Sequence, residues 1–137
     1  MQLKLTLNSK ISDWNELSVV LDHAILERQV ITTTEGVVKF FLRRLPDGVK
    51  PNTRLLPRIV CVDPKRMIPC LLTIRQVKHV SAPTDQSPNE IILGGISFSG
   101  TNEIYIGAFC EQESDYGVTI KIDQIDVELR DIVSKID

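Results

Sequence analysis

Aromatic side chains are scarce in this chain: one Trp, two Tyr and four Phe among 137 residues. Binders of single-stranded nucleic acid stack bases on aromatic side chains set among cations, so the shortage speaks against a dedicated binder of that kind. Histidine is scarcer still. Neither His23 nor His79 has a second His or a Cys pair at metal-ligand spacing, so both read as surface or half-buried side chains and no metal site is assigned. The three cysteines, Cys61, Cys70 and Cys110, form no close pairing motif, and no Asn-x-Ser/Thr sequon is present. That pattern suits a reducing, intracellular setting, and a cytoplasmic location is expected. No apolar run approaches the roughly 20 residues that span a bilayer. Met1 to Leu7 alternates instead of forming an apolar block, so neither a membrane partner nor a signal peptide is expected.

Motifs for chemistry are missing as well. Gly94-Gly95-Ile96-Ser97-Phe98-Ser99-Gly100 lacks the Gly-Lys-Ser/Thr of a phosphate loop and the Gly-x-Gly-x-x-Gly of a dinucleotide site. It leads into a strand, where its glycines mark a bulge or close backbone packing. Cys70 is the one cysteine with cations in sequence reach, Arg66 and Arg75, as a thiolate nucleophile needs. No base can be assigned to it, so a core role is the better reading. The acids of the last third lie on a turn and on a predicted helix, where solvated carboxylates outweigh a catalytic pair. Without a nucleophile–base pair, metal set or cofactor motif, the chain is read as a non-enzyme with no catalytic residue and no cofactor.

Charge distribution is the informative feature. Residues 39–79 contain ten basic residues and two acids, a net +8; residues 1–38 carry −2 and residues 80–137 carry −8. A chain with a total of only −2 is thus polarised into a basic middle and an acidic end.

The length and 42% hydrophobic content fit one soluble domain over 1–137. Leu3, Leu5 and Leu7 alternate with polar residues as a half-buried strand. Trp14, Leu17, Val20, Leu21, Ala24 and Ile25 form a helical stripe, which predicts a helix over about 14–28 that opens on Ser12-Asp13, with Asp13 and Glu16 at capping-box spacing. Val30–Thr34 and Val37–Leu42 flank Glu35-Gly36 as a hairpin. Ile59–Val62 reads as a short strand, and Ile68–Val80 contains another that is best begun after Pro69. Residues 81–90 form the longest loop signal, a candidate mobile arm. Ile91–Phe98 and Ile104–Cys110 form a second hairpin, apolar on both faces and so expected to be covered on both. Val118–Ile122 is a last strand. The tail fits a helix through Ile125, Leu129, Ile132, Val133 and Ile136, or a strand through Val127 and Leu129; the helix is preferred because its pattern runs longer. The expected fold is α+β: a mostly antiparallel curled sheet or small β-barrel of about seven strands, with an N-terminal-region helix and a C-terminal helix.

Arg54-x-x-x-Arg58, followed by Gly95-Ile96-Ser97-Phe98-Ser99-Gly100, resembles the two motifs of PilZ-type cyclic-dinucleotide receptors. The resemblance implies a small antiparallel barrel whose arginines bind guanine and phosphate groups. It departs at Gly95, where that family carries Asp or Asn.

Three explanations fit the polarity. Basic and acidic strands can pair within the fold. Subunits can instead meet head to tail, basic surface on acidic surface. The basic stretch can also hold a nucleotide or nucleic acid, although a pI of about 5.7 opposes a dedicated binder. The expectation is a non-catalytic structural or interaction protein, a subunit that assembles with itself or with other subunits. Its expected interface residues are Arg43, Arg44, Lys65, Arg66, Glu111 and Glu113. The alternative is an anion-binding module using Arg54, Arg58, Arg75 and Lys78, with a PilZ-like receptor as one case.

Overall fold

The structure, a computed structural model, describes residues 2–22, 24–27, 32–34, 36–46, 67–81, 90–99, 102–109 and 116–132. Leu3 and Leu5 of the alternating N-terminal leucines lie in β1 (Gln2–Thr6), with Leu5 buried, whereas Leu7 falls beyond the strand and is exposed, and helix α1 (Ile11–Leu21) follows. The other strands are β2 (Ile25–Glu27), β3 (Thr32–Thr34), β4 (Val37–Arg44), β5 (Ile68–Ile74), β6 (Val77–Ser81), β7 (Glu90–Ser99), β8 (Glu103–Phe109), β9 (Tyr116–Ile122) and β10 (Asp126–Asp131). Every pairing is antiparallel. The strand order is β1-β10-β5-β4-β2-β7-β8-β9-β6, with β3 also on β4. Over the described residues the chain is therefore mostly antiparallel sheet with one short helix, and the sheet ends at β1 and β6 instead of closing as a barrel.

A corner in the sheet brings the basic and acidic stretches together. Only Arg75 and Gln76 separate β5 from β6, and only residues 123–125 separate β9 from β10. The two bends bond to each other: the Arg75 N–H donates to the Asp126 carbonyl at 2.9 Å, and the Asp123 N–H to the Gln76 carbonyl at 2.8 Å. Gln76 turns the corner at φ +58°, a left-handed conformation that non-glycine residues seldom take. Strands β5 and β6, from the basic stretch, consequently run beside β10 and β9 of the acidic stretch on both sides of the bend.

The inner faces share one core, which includes Leu5, Leu26, Phe40, Leu72, Ile106 and Leu129. Helix α1 adds Leu17 and Leu21 to that core and packs against β7 and β1. Its Trp14 ring stacks on Phe98, with centroids 5.3 Å apart and planes 15° apart. The Asp13 carboxylate accepts the Lys10 backbone N–H at 2.8 Å, which caps the first turn and starts the helix at Ile11.

Several expectations need correction. The tail helix is absent over the described residues: 126–131 is strand β10, and its Val127 and Leu129 point inward while Asp126, Glu128 and Arg130 alternate outward. Pairing to β1 and β5 on both sides satisfies its backbone, and this tertiary pairing overrides a local helical pattern. Helix α1 stops at Leu21 and does not reach Arg28, because Ile25 and Leu26 pair with both β4 and β7. Ten strands form among the described residues, where about seven were expected for the chain. Pro69 lies within β5 near its start, where its carbonyl accepts the Ile132 N–H at 2.9 Å. The β7–β8 hairpin is not covered on both faces throughout, since Ser97, Ser99 and Tyr105 are exposed on one of them. The hairpin of β3 and β4 forms, with Gly36 at φ +76°, and the register shifts between Leu93 and Gly95, the bulge of the two readings given for these glycines. The predicted strand 59–62 and nearly all of the 81–90 loop lie outside the described residues.

Candidate functional site

Three of the five described cations of the basic stretch, Arg44, Arg75 and Lys78, pair with acids of the last third at the corner and along the neighbouring strands. Arg44 ends β4 on the core side and is 3% exposed. Its Nε and Nη2 donate to the two Asp131 carboxylate oxygens at 2.9 and 2.8 Å, and its Nη1 donates to the Leu45 carbonyl at 3.2 Å. This two-pronged geometry is the strong form of an Arg–carboxylate pair. The guanidinium holds the Asp131 carboxyl below its usual range. Arg75 lies 3.4 Å from Asp126 and 3.6 Å from Glu128, and Lys78 lies 2.8 Å from Asp123. Glu128 also accepts from the Gln2 amide at 2.9 Å and meets Lys4 at 3.7 Å. That hydrogen bond, with the Arg75 and Lys4 charges beside it, lowers the Glu128 pKa.

What remains is the outer face of the wall β1–β10–β5–β4. Strand register sets its side chains in rows. One row runs Gln2, Arg130, Leu71, Phe41; the next runs Lys4, Glu128, Thr73, Lys39. Arg43 stands opposite Pro69 one step beyond. Leu71 and Thr73 are buried although they face outward, flanked in their rows by longer side chains. Phe41 is 38% exposed, set between exposed Lys39 and Arg43 on its own strand, with Arg130 two strands away in the same row. Among the described residues no acid lies within ion-pair distance of Lys39 or Arg130. The outward side chains of this wall comprise five cations (Lys4, Lys39, Arg43, Arg75, Arg130) and two acids (Asp126, Glu128), a net +3. Beside Phe41 opens a largely apolar groove of about 230 Å³ lined by Ile25, Leu42, Arg43, Pro69, Cys70 and Ile132. A second groove, of about 470 Å³, lies at the corner among Lys4, Arg75, Asp126 and Glu128; its charges already pair with one another.

The predicted site residues scatter accordingly. Arg43 is on the wall, whereas Arg44 is inside and bound. Arg75 and Lys78 hold carboxylates at the corner. Lys65, Arg66, Glu111, Glu113, Arg54 and Arg58 lie outside the described residues. Lys39, Phe41 and Arg130 were missed. Period-2 parity in β4 carries the signal for Lys39 and Phe41, whereas Arg130 was hidden by the helical reading of the tail. Cys70 is fully buried, and burial pushes its thiol up to about 12, so it is a protonated core side chain at neutral pH. His79 is exposed. Among the described residues no three His, Cys, Asp or Glu side chains gather as a metal set, and no helix is long and apolar enough to cross a membrane.

No protein-family model matches this chain, and no curated protein or solved structure gives a significant match.

Proposed function

We propose that this chain is a non-catalytic interaction protein, a subunit that assembles with copies of itself through charge-complementary, head-to-tail contacts. The observation that carries the reading is the wall: a face of net +3 around the exposed Phe41, on which Lys39 and Arg130 meet no acid among the described residues. Basic, aromatic-centred surfaces of this kind pair with acidic ones, and charge steers the encounter while apolar contact supplies affinity. The test is molar mass by light scattering across a salt series. At low salt the mass should exceed the 15.4 kDa of one chain and fall towards it as salt rises, because the Debye length shrinks from about 10 Å at 0.1 M to about 3 Å at 1 M. A mass of one chain at every salt and concentration would remove the reading.

Phe41 between two cations on a sheet face also favours a second reading, an anion-binding module. Sheets hold single-stranded nucleic acid by stacking bases on such aromatics. On this reading the ligands are Lys39 and Arg130, since Arg75 and Lys78 already hold carboxylates. Fluorescence anisotropy of a labelled oligothymidine tests it: binding should weaken steeply with salt and be lost in Phe41→Ala, and no binding at low salt would exclude it.

A further inference from the structure

We propose that the surface seated on this wall is the outer side of α1 from a second copy; the inference rests on the assembly reading above and names both of its faces. Helix α1 turns Leu17, Leu21 and half-buried Trp14 towards the core. Its opposite side carries Ile11, 80% exposed, and Val19, 74% exposed, with exposed Asn15 and Glu16 between them, and exposed Leu7 precedes it. Single exposed apolar residues are ordinary. Here, of the five large exposed apolar side chains among the described residues, three sit on α1 or its lead-in and a fourth is Phe41.

Charge and dimensions agree with that pairing. Residues 11–22 contain Asp13, Glu16 and Asp22 and no cation, whereas the wall is basic. From Ile11 to Val19 the helix rises about 12 Å. Along β4, Lys39 to Arg43 spans about 13 Å. A helix laid along β4 therefore brings one aliphatic side chain to the groove beside Phe41 while Glu16 stays within reach of the cations. The two faces do not meet within one copy, because α1 packs on the inner side of the sheet and the wall looks outward. Each copy thus carries one of each face, and the contact is heterologous: it propagates as an open chain or closes as a ring.

The experiment blocks one face at a time. Phe41→Asp disables the wall and leaves α1 intact; Val19→Asp disables α1 and leaves the wall intact. Each should be monomeric by light scattering at low salt, with association at least tenfold weaker than wild type. Mixed in equal amounts they should form a species of twice the chain mass and no larger, because one sound wall meets one sound helix. Lys39→Glu with Arg43→Glu serves as a second wall variant, and circular dichroism of each variant checks that it is folded. If wild type assembles and the Val19 variant assembles equally well, α1 is not the occupant, and this inference fails while the assembly reading stands. If wild type is monomeric, both fail. A monomer that binds a labelled oligothymidine in a Phe41-dependent way would assign the wall to nucleic acid and overturn the proposal.

Discussion

Replacing Asp131 by Asn removes the counter-charge from a guanidinium that is 3% exposed. Arg44 would exchange two carboxylate contacts at 2.9 and 2.8 Å for one neutral acceptor, while its bond to the Leu45 carbonyl stays. Breaking a buried ion pair by removing one partner costs about 3–5 kcal/mol. Asp131 is itself partly exposed, so water replaces some of the loss, and about 2–4 kcal/mol is expected. For a chain of this size that corresponds to a fall in Tm of about 6–12 °C. Urea titration followed by circular dichroism measures it, with the midpoint falling at unchanged slope. Replacing both partners by apolar residues, Arg44→Met with Asp131→Leu, should recover most of the loss, since no uncompensated charge is left inside. The pH dependence has a definite sign. The carboxyl of Asp131 is held below its ordinary value in the folded state, so its contribution is fully present above the unfolded value, about 4. It is lost as pH falls through the folded value, and the gap between wild type and Asp131→Asn should narrow there. An Asp131→Asn protein within about 0.5 kcal/mol of wild type, with an unchanged acid slope, would refute the structural role given to this pair.

Leu21 is fully buried under α1, so Leu21→Ala should cost about 2–5 kcal/mol in the same urea assay, and a loss near zero would put that helix face at the surface. The Tyr105 ring lies over Gly117, where a Cβ would sit inside van der Waals distance of it. Gly117→Ala should therefore displace the ring, and a double-mutant cycle with Tyr105→Ala should show coupling of about 0.5 kcal/mol or more. Burial keeps the Cys70 thiol protonated up to about 12. In a protein carrying Cys61→Ser and Cys110→Ser it should resist a thiol reagent at pH 8 until urea unfolds the chain. Because its folded value is the raised one, its contribution to stability is complete below the unfolded value and fades as pH rises from about 9.

Local patterns in the sequence carry most of the first half of this fold. Leu3 and Leu5 of β1, the stripe Trp14–Leu17–Leu21 and the β3–β4 hairpin are each written in a few neighbouring residues, and each forms. Strand β10 is not written that way. Its apolar residues satisfy helical and strand periods alike, and the decision comes from β1 and β5, which bond to it from distant parts of the chain. The charge imbalance was legible as a count but not as pairs. That Arg44 meets Asp131 depends on β4, β5 and β10 lying side by side in a particular register, which composition does not encode. The same limit hid the wall. Composition allowed that one of Phe40 and Phe41 faces the core, and only the register of β4 shows that Phe41 is the outward one, with Lys39 and Arg43 beside it.

Zero-length carbodiimide cross-linking of a mixture of unlabelled and 15N-labelled wild-type chains at low salt, read by mass spectrometry, tests the central claim most directly. The reagent joins amines to carboxylates in contact. Lys78–Asp123 at 2.8 Å and Lys4–Glu128 at 3.7 Å should link within one chain and serve as internal controls. A link from Lys39 to Glu16 carrying one labelled and one unlabelled peptide, and fading as salt is raised, is the predicted result. Controls that form while Lys39 links to no carboxylate of another chain would contradict the account.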